Sequence, residues 1–438
     1  MNQELCAVHS RSEVGRHGAA VTVENPLICG SRLLRGSTML RRRTSLAMPL
    51  LLLALLVGCG SSSDGGSTQS SAASTGSTSA TGTEVAAKSA ECSKPNVISQ
   101  SDWNQGAKRL PAVPAGSVDG KRIAYIGFGQ DNAWSGGNNG LGTFTGVLCE
   151  AQANGADAKF IGPPSFDAQV QFQLVSDLAV SKNYDGLVIT PNDSTSIAPA
   201  IKQLVAAGVP VVSTLQPAGP NVLSMENQIP GMNGNVIEDL TVNAQAMADG
   251  VIDACKAHDP CNVIVIWGVR ALAFDKVKPE IFQKRLAGHP NIKIVCEADG
   301  GYDQDVGRTA AADCLQAHPD VNVLASQADQ QTRGAERSLD AAGLKFGLGK
   351  NDVKIVSSYG TVYGVEQVRK GKWLQTTYNR AQSIGAAATR IVLLDIAGKK
   401  IPDNLRFIVQ DRDMDKVPNR LTKAVLDAHP EIKGQWEG

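Results

Sequence analysis

Between residues 121 and 408, short apolar runs alternate with stretches of helical periodicity. The runs at 123–128, 158–161, 186–190, 210–213, 222–225, 262–267, 292–297, 321–327 and 353–357 are mostly apolar. Runs of this length, apolar without strict alternation, predict strands buried on both faces. Between them, 143–153, 168–180, 196–207, 233–256, 278–286, 305–316 and 334–342 carry the three- to four-residue spacing of helices. Ala207-Gly208-Val209-Pro210 and Ala342-Gly343 read as helix stops, because glycine takes the left-handed cap and proline cannot continue a helix. Strands separated by helices form βαβ units with parallel pairing. The predicted fold class is α/β, in two similar halves that are each a doubly wound parallel-sheet lobe.

The first strand and its loop, 121–155, are where a ligand is expected, since open α/β sheets bind at the carboxyl ends of their strands. A dinucleotide turn needs G-x-G-x-x-G, but here Gly127 and Gly129 are followed by Asn132 at the third place. No acidic residue closes the next strand, and no G-x-x-x-x-G-K-[ST] occurs in the chain. Gln130, Asp131, Asn132 and the Trp134 ring instead suit a neutral polar ligand with an apolar face.

Upstream, the pattern breaks down. Residues 1–38 show no periodicity, and Met39 opens an export signal: Arg41-Arg42-Arg43, an apolar run over 50–57, then Leu56-Val57-Gly58-Cys59. The run is too short to span a bilayer. Its end resembles a bacterial lipoprotein signal, which makes Cys59 the expected lipidation site, 1–58 a removed leader and Met39 the expected start of translation. Residues 59–90 are Ser, Gly, Thr and Ala with few large apolar side chains. Such a composition cannot offset ordering entropy and predicts a disordered tether. Residues 91–120, with Trp103, Pro95, Pro111 and Pro114, read as a lead-in packed on the first lobe.

The whole chain balances 42 basic against 42 acidic residues, but the leader holds seven Arg and three Glu. The remainder is 35 against 39, mildly acidic, which argues against a nucleic-acid partner. Six cysteines follow Cys59, consistent with an oxidising compartment. Cys255–Cys261 and Cys296–Cys314 would each staple a helix to an adjoining strand, leaving Cys92 and Cys149; buried free thiols are the alternative. No C-x-x-C or His-x-x-x-His spacing supports zinc, and no metal or cofactor is expected. No nucleophile motif is present, and Asp411 with Asp413, or Asp303 with Asp305, read as solvated loop charge. Catalysis is not expected.

Three stretches carry a specific resemblance. DGLVITPNDSTSIAPAIKQLVAAGVPVVS (185–213), YDQDVGRTAAADCLQAHPDVNVLASQADQQTRGAERSLDAAG (302–343) and the 359–372 stretch resemble ribose/galactose-type periplasmic sugar-binding proteins, the type I solute-binding proteins of ABC importers. The resemblance covers about 121–408. It implies the type I periplasmic-binding-protein fold, with three crossover segments near 226–230, 378–380 and 408–412. Lobe 1 is then 121–226 with 381–408, and lobe 2 is 227–380 with 409–438.

Carried over by position, the resemblance puts Asn132 and Trp134 against the ligand, with Thr190 and Asp193 lining the first lobe's side. Lys276, with Arg270 as rival, falls near an expected arginine. Tyr302 matches a stacking aromatic, Asp329 lies in Ser-Gln-Ala-Asp, and Asn379 or Arg380 sits at the second crossover. The departures are informative. Leu215-Gln216 replaces an Asp-Arg pair that would clamp hydroxyls bidentately, Ala328 replaces an asparagine, and Tyr359 replaces an aspartate. Gln216 and Tyr359 remain candidate ligand contacts, but losing hydroxyl-binding groups predicts a different or less hydroxylated ligand.

The expected function is capture of a small polar solute (sugar, polyol or less hydroxylated analogue) by hinge closure, and its delivery to an ABC permease. The protein is expected as a monomer, lipid-anchored to a membrane in the periplasm or on the outer surface of the cell envelope. The alternative is a ligand sensor of the same fold signalling to a membrane receptor. A lac-repressor-type regulator would need a helix-turn-helix where this chain carries its export signal.

Overall fold

The computed structural model describes residues 90–137 and 140–438. The leader with Cys6 and Cys29, the lipidation candidate Cys59 and the tether up to residue 89 lie outside the described residues. Twelve strands form two six-stranded sheets among the described residues. In chain order they are β1 Arg122–Ile126, β2 Asp157–Phe160, β3 Gly186–Ile189, β4 Val211–Leu215, β5 Gly234–Ile237, β6 Cys261–Trp267, β7 Ile292–Asp299, β8 Val323–Ser326, β9 Lys354–Val356, β10 Gln375–Thr377, β11 Phe407–Val409 and β12 Arg420–Thr422. The first sheet has the order β11-β5-β4-β3-β1-β2 and the second β12-β10-β9-β8-β6-β7. All neighbours are parallel except β10 and β12. Strands β3 and β4 are buried along their whole length, as a sheet covered on both faces requires.

The chain passes between the sheets three times. The second passage, after β10 and before helix Ala381–Ile396, runs through 378–380 as expected. The third follows β11, which ends at Val409. The first differs: the chain stays with the first sheet through β5 and leaves at Glu238, not at 226–230. Two local features explain it. Residues 222–225 form a loop, not a strand, tied off where Gln228 Nε2 donates to Asn221 O and Asn221 N donates to Gln228 Oε1, both at 2.8 Å. The helix expected from residue 233 begins at Leu240, because the Asp239 carboxylate caps it by accepting from Thr241 N and Val242 N. Gly234–Ile237 is thereby released to pair with β4 and β11. A Cβ on Gly234 would sit 2.4 Å from Arg406 O, so the approach to the neighbouring chain needs glycine.

The lead-in packs on the first lobe. Trp103, Leu110, Val113 and Val118 join that lobe's core, and Ile98 N donates to Gln382 Oε1 at 2.9 Å. Arg390, on helix Ala381–Ile396, stacks over Trp103 at 5.0 Å and pairs with buried Glu150. Disulfides join Cys92 to Cys149, Cys255 to Cys261, and Cys296 to Cys314. They tie the lead-in to helix Thr143–Ala153, the end of helix Leu240–Cys255 to β6, and β7 to helix Gln304–Ala317. Asp411 and Asp413 are not solvated: Asp411 lies 3.7 Å from buried Arg380, and Asp413 bonds Val409 N and pairs with Lys108 at 3.2 Å. Asp303 caps helix Gln304–Ala317.

Candidate functional site

The carboxyl ends of the two sheets face each other across a cleft whose walls are aromatic. Phe128 follows β1, Trp134 lies in the next loop, Phe166 precedes helix Ala168–Ser181, and Leu215 ends β4. From the second sheet come Phe274 after β6, Tyr302 after β7 and Tyr359 after β9. Asn132, Gln330 and Trp436 complete the lining. Phe128 stacks on Phe274 across the cleft at 5.6 Å, and it also contacts Phe166 at 4.9 Å and Trp134 at 5.8 Å. The free volume between these rings is about 30 Å³, room for about two waters on the scale where one needs roughly 10–15 Å³. A ligand larger than that requires the lobes to part.

Backbone conformation aims several of these side chains. Four non-glycine residues have positive φ among the described residues, and three of them, Leu215 (64°), Tyr302 (57°) and Tyr359 (81°), line the cleft. Left-handed backbone at an aromatic side chain persists only where surrounding contacts fix it, and such outliers cluster at functional sites. The contacts are present: Tyr359 N donates to Thr377 Oγ1 at 2.9 Å and Tyr302 N to Gln331 Oε1 at 3.2 Å.

Beneath the aromatic walls runs a buried polar network that joins both lobes through the crossovers. Trp134 Nε1 donates to Asn379 Oδ1 at 2.7 Å, and Asn379 Nδ2 donates to Glu238 Oε2 at 3.3 Å. Tyr359 OH donates to Glu238 Oε1 at 3.0 Å and itself accepts from Lys278 Nζ. Lys278, 1 % exposed, lies 3.7 Å from Asp275 and 4.0 Å from Glu238, and over the Tyr359 ring at 4.7 Å. Asp275 accepts from Tyr302 OH at 2.6 Å, from Val269 N at 2.8 Å and from Gln327 Nε2. One ammonium thus serves two buried carboxylates. Burial raises the Asp275 carboxyl above its ordinary value against the pull of Lys278. It also pushes the Tyr302 and Tyr359 phenols well above theirs, which keeps both as hydrogen-bond donors.

Glu238 stands at the first crossover, and burial, opposed by Lys278, pushes its carboxyl from 4.5 up to about 7. Between those values the folded chain keeps a proton that the unfolded chain has lost, so this group makes stability fall as pH rises through that window. Glu238→Gln is expected to remove that contribution. Urea midpoints measured from pH 5 to 7.5 should decline less in the variant than in the wild type; equal slopes would contradict the assignment.

The residues singled out from sequence take different places. Asn132, Trp134, Tyr302 and Tyr359 come together on the cleft walls, and Asn379 lies directly behind Trp134. Thr190 is buried in the first lobe, bonded to Thr214 Oγ1 at 2.7 Å and Tyr125 OH at 3.2 Å. Asp193 caps the turn before helix Ala198–Ala206 through Thr195 N and Ser196 N. Gln216 spends its amide on Pro191 O and Ser194 Oγ. Asp329 holds the 357–361 loop through Ser357, Thr361 and Thr376. Arg380 makes two 2.6 Å bonds to Asp415. Lys276 is exposed, and Lys278, two residues on at the start of the next helix, occupies the buried position instead. Arg270 pairs with Asp299 at the surface. Phe274, Lys278, Glu238 and Trp436 were not singled out. Glu238 would have been, had Gly234–Ile237 been read as a strand; nothing in the sequence marks Trp436.

Residues 123–400 match the periplasmic binding protein domain. The ribose import binding protein of Salmonella typhimurium is 27% identical over 241 residues, 54% of this chain and 75% of that protein. That of Bacillus subtilis is 23% identical over 256 residues, 58% of this chain and 77% of the relative. Among solved structures, a periplasmic solute-binding protein of an ABC transporter from Actinobacillus succinogenes, with bound D-allose, aligns with TM-score 0.58 at 20% identity. The alignment covers 70% of this chain and all of that one. A solute-binding protein from Mycobacterium smegmatis with bound glycerol aligns with TM-score 0.58 at 23% identity, over 73% of this chain and 99% of that one.

Proposed function

This chain belongs to the periplasmic binding protein family, as a type I sugar-binding protein of the ribose/galactose kind and not an enzyme, and from that premise we propose how it works. It captures a small sugar-like solute outside the cytoplasm by closing its two lobes, and hands that solute to an ABC permease while tethered to a membrane through lipid on Cys59. The observation that carries the reading is the cleft itself. Rings from both lobes meet at the strand ends over one polar network, so a solute between them touches both lobes only when they are closed. Contacts available only in the closed state shift the open–closed equilibrium by their differential affinity.

The ligand's character follows from the lining. Leu215 and Ala328 offer no hydrogen bond from their side chains, and the carboxylates beneath the walls are already engaged by Lys278, Tyr302, Tyr359 and Asn379. Gln330 lines the cavity, and its buried Oε1, which has no hydrogen-bond partner, is the acceptor assigned to the solute. A ring with one apolar face and few hydroxyls fits this lining better than a fully hydroxylated hexose.

A thermal-shift panel of monosaccharides, deoxysugars, polyols, nucleosides and small aromatics tests the reading. A ligand at a hundredfold excess over Kd stabilises by about 2.7 kcal/mol, and the largest shift is expected from a sugar-like compound with few hydroxyls. No shift with any member of the panel would sink the proposal.

A further inference from the structure

Residues 434–438 lie outside the matched domain, 123–400, and they run across the mouth of the cleft. Toward the first lobe, Gln435 O accepts from Gln382 Nε2 at 2.8 Å, Gln435 Oε1 accepts from Ser383 N at 2.9 Å, and Glu437 N donates to Leu141 O at 3.2 Å. Toward the second lobe, Trp436 Nε1 donates to Tyr359 O at 2.7 Å, Trp436 O accepts from Val362 N at 2.9 Å, and Gly438 O accepts from Arg333 Nη1 at 3.4 Å. Gly434 lies so close to the second lobe that a Cβ there would fall 2.3 Å from Val362 N. The Trp436 ring, 1 % exposed, forms part of the cavity wall.

We propose that residues 434–438 are a strap that holds the two lobes closed over the cleft, with Trp436 as the part of it that a bound solute meets. The geometry gives the reason. Residues 435–438 bond to both lobes, with Gln435 Nε2 also donating to Tyr378 OH at the second crossover at 3.4 Å, so the lobes cannot separate without breaking one of the two sets of bonds. The three crossovers lack this property, since each is a continuous chain that can act as a hinge. Entry of a solute into a cavity of about 30 Å³ therefore requires the strap to let go of one lobe, and rebinding of the strap completes closure. That Trp436 meets the solute rests on the solute-capture reading; the closing action does not.

The test reads the lobe separation of the full chain with no ligand added. Nitroxides are attached to non-natural residues at exposed Lys202 on the first lobe and exposed Lys350 on the second, and their distance distribution is measured by double electron–electron resonance. Trp436→Ala and Gln435→Ala are each expected to raise the population of the longer separation at least about threefold, the response of a two-state equilibrium that loses contacts in one state. Circular dichroism establishes that each variant is folded; if Trp436→Ala is not, Gln435→Ala decides alone, because it leaves the indole in place. Distributions that match the wild type would overturn the strap. Because no ligand is present, an empty ligand panel would overturn solute capture while leaving a positive distance result standing.

Discussion

Replacing Lys278 with methionine is expected to lower the unfolding free energy at pH 7 by about 3–5 kcal/mol, the cost of leaving a buried charge without its partner. The lysine is 1 % exposed and serves Asp275 and Glu238 together. Methionine fills most of the volume but leaves two buried carboxylates without the ammonium beside them. Burial already raises both carboxyls, and without the ammonium they rise further. Protonation then removes the uncompensated buried charge, so the loss should shrink as pH falls toward 5. Urea unfolding of both proteins at pH 7 and pH 5 checks the magnitude and the trend. A loss under about 1 kcal/mol at both values would place the ion pairs among those that contribute little.

Trp134→Ala is the second large effect. The indole lines the cavity, packs at a tilt against Phe128 and ties the first lobe to Asn379 at the second crossover. Its removal is expected to weaken binding of the best compound from the thermal-shift panel at least about tenfold, the factor set by the loss of roughly 1.4 kcal/mol of contact. A half-exposed loop indole would cost little stability, but this one is 4 % exposed. Truncation of a buried tryptophan lowers stability by about 3–5 kcal/mol. Calorimetric titration and thermal unfolding of the same variant separate the two effects. Unchanged affinity would remove the ring from the ligand site.

How much of this was legible in the sequence depended on whether burial left a hydrophobic trace. The central strands did: Gly186–Ile189 carries no polar side chain, and Val211–Leu215 opens on two valines before its buried Ser213 and Thr214, so both could be read directly. Strand Gln375–Thr377 left none. It is fully buried yet entirely polar, because Thr376 bonds Asp329, Thr377 bonds Asn243 and Tyr359, and Gln375 bonds Ala246 and Arg420. Polar side chains that satisfy one another inside a core are indistinguishable from a loop by composition. Gly234–Ile237 was obscured differently, since it abuts a long helix and only the cap at Asp239 separates them.

At the site, Asn132 and Trp134 stood out in the polar loop after the first strand, Tyr302 and Tyr359 were named only through the family resemblance, and the four meet on the cleft walls. Thr190, Gln216 and Asp329 lie near strand ends but turn their polar groups into the lobes. Position along a strand says that a side chain is near the cleft; the partners it finds determine whether it faces it. Trp436 reaches the site from more than seventy residues beyond Tyr359, a contact that no local pattern encodes.

The central claim, that one small solute is held by both lobes at once, is tested most directly by hydrogen–deuterium exchange on the full chain with and without the best compound from the panel. Slower exchange in the presence of the compound is expected at both 127–135 on the first lobe and 359–364 on the second. Protection confined to one lobe, or appearing only away from the cleft, would contradict that claim.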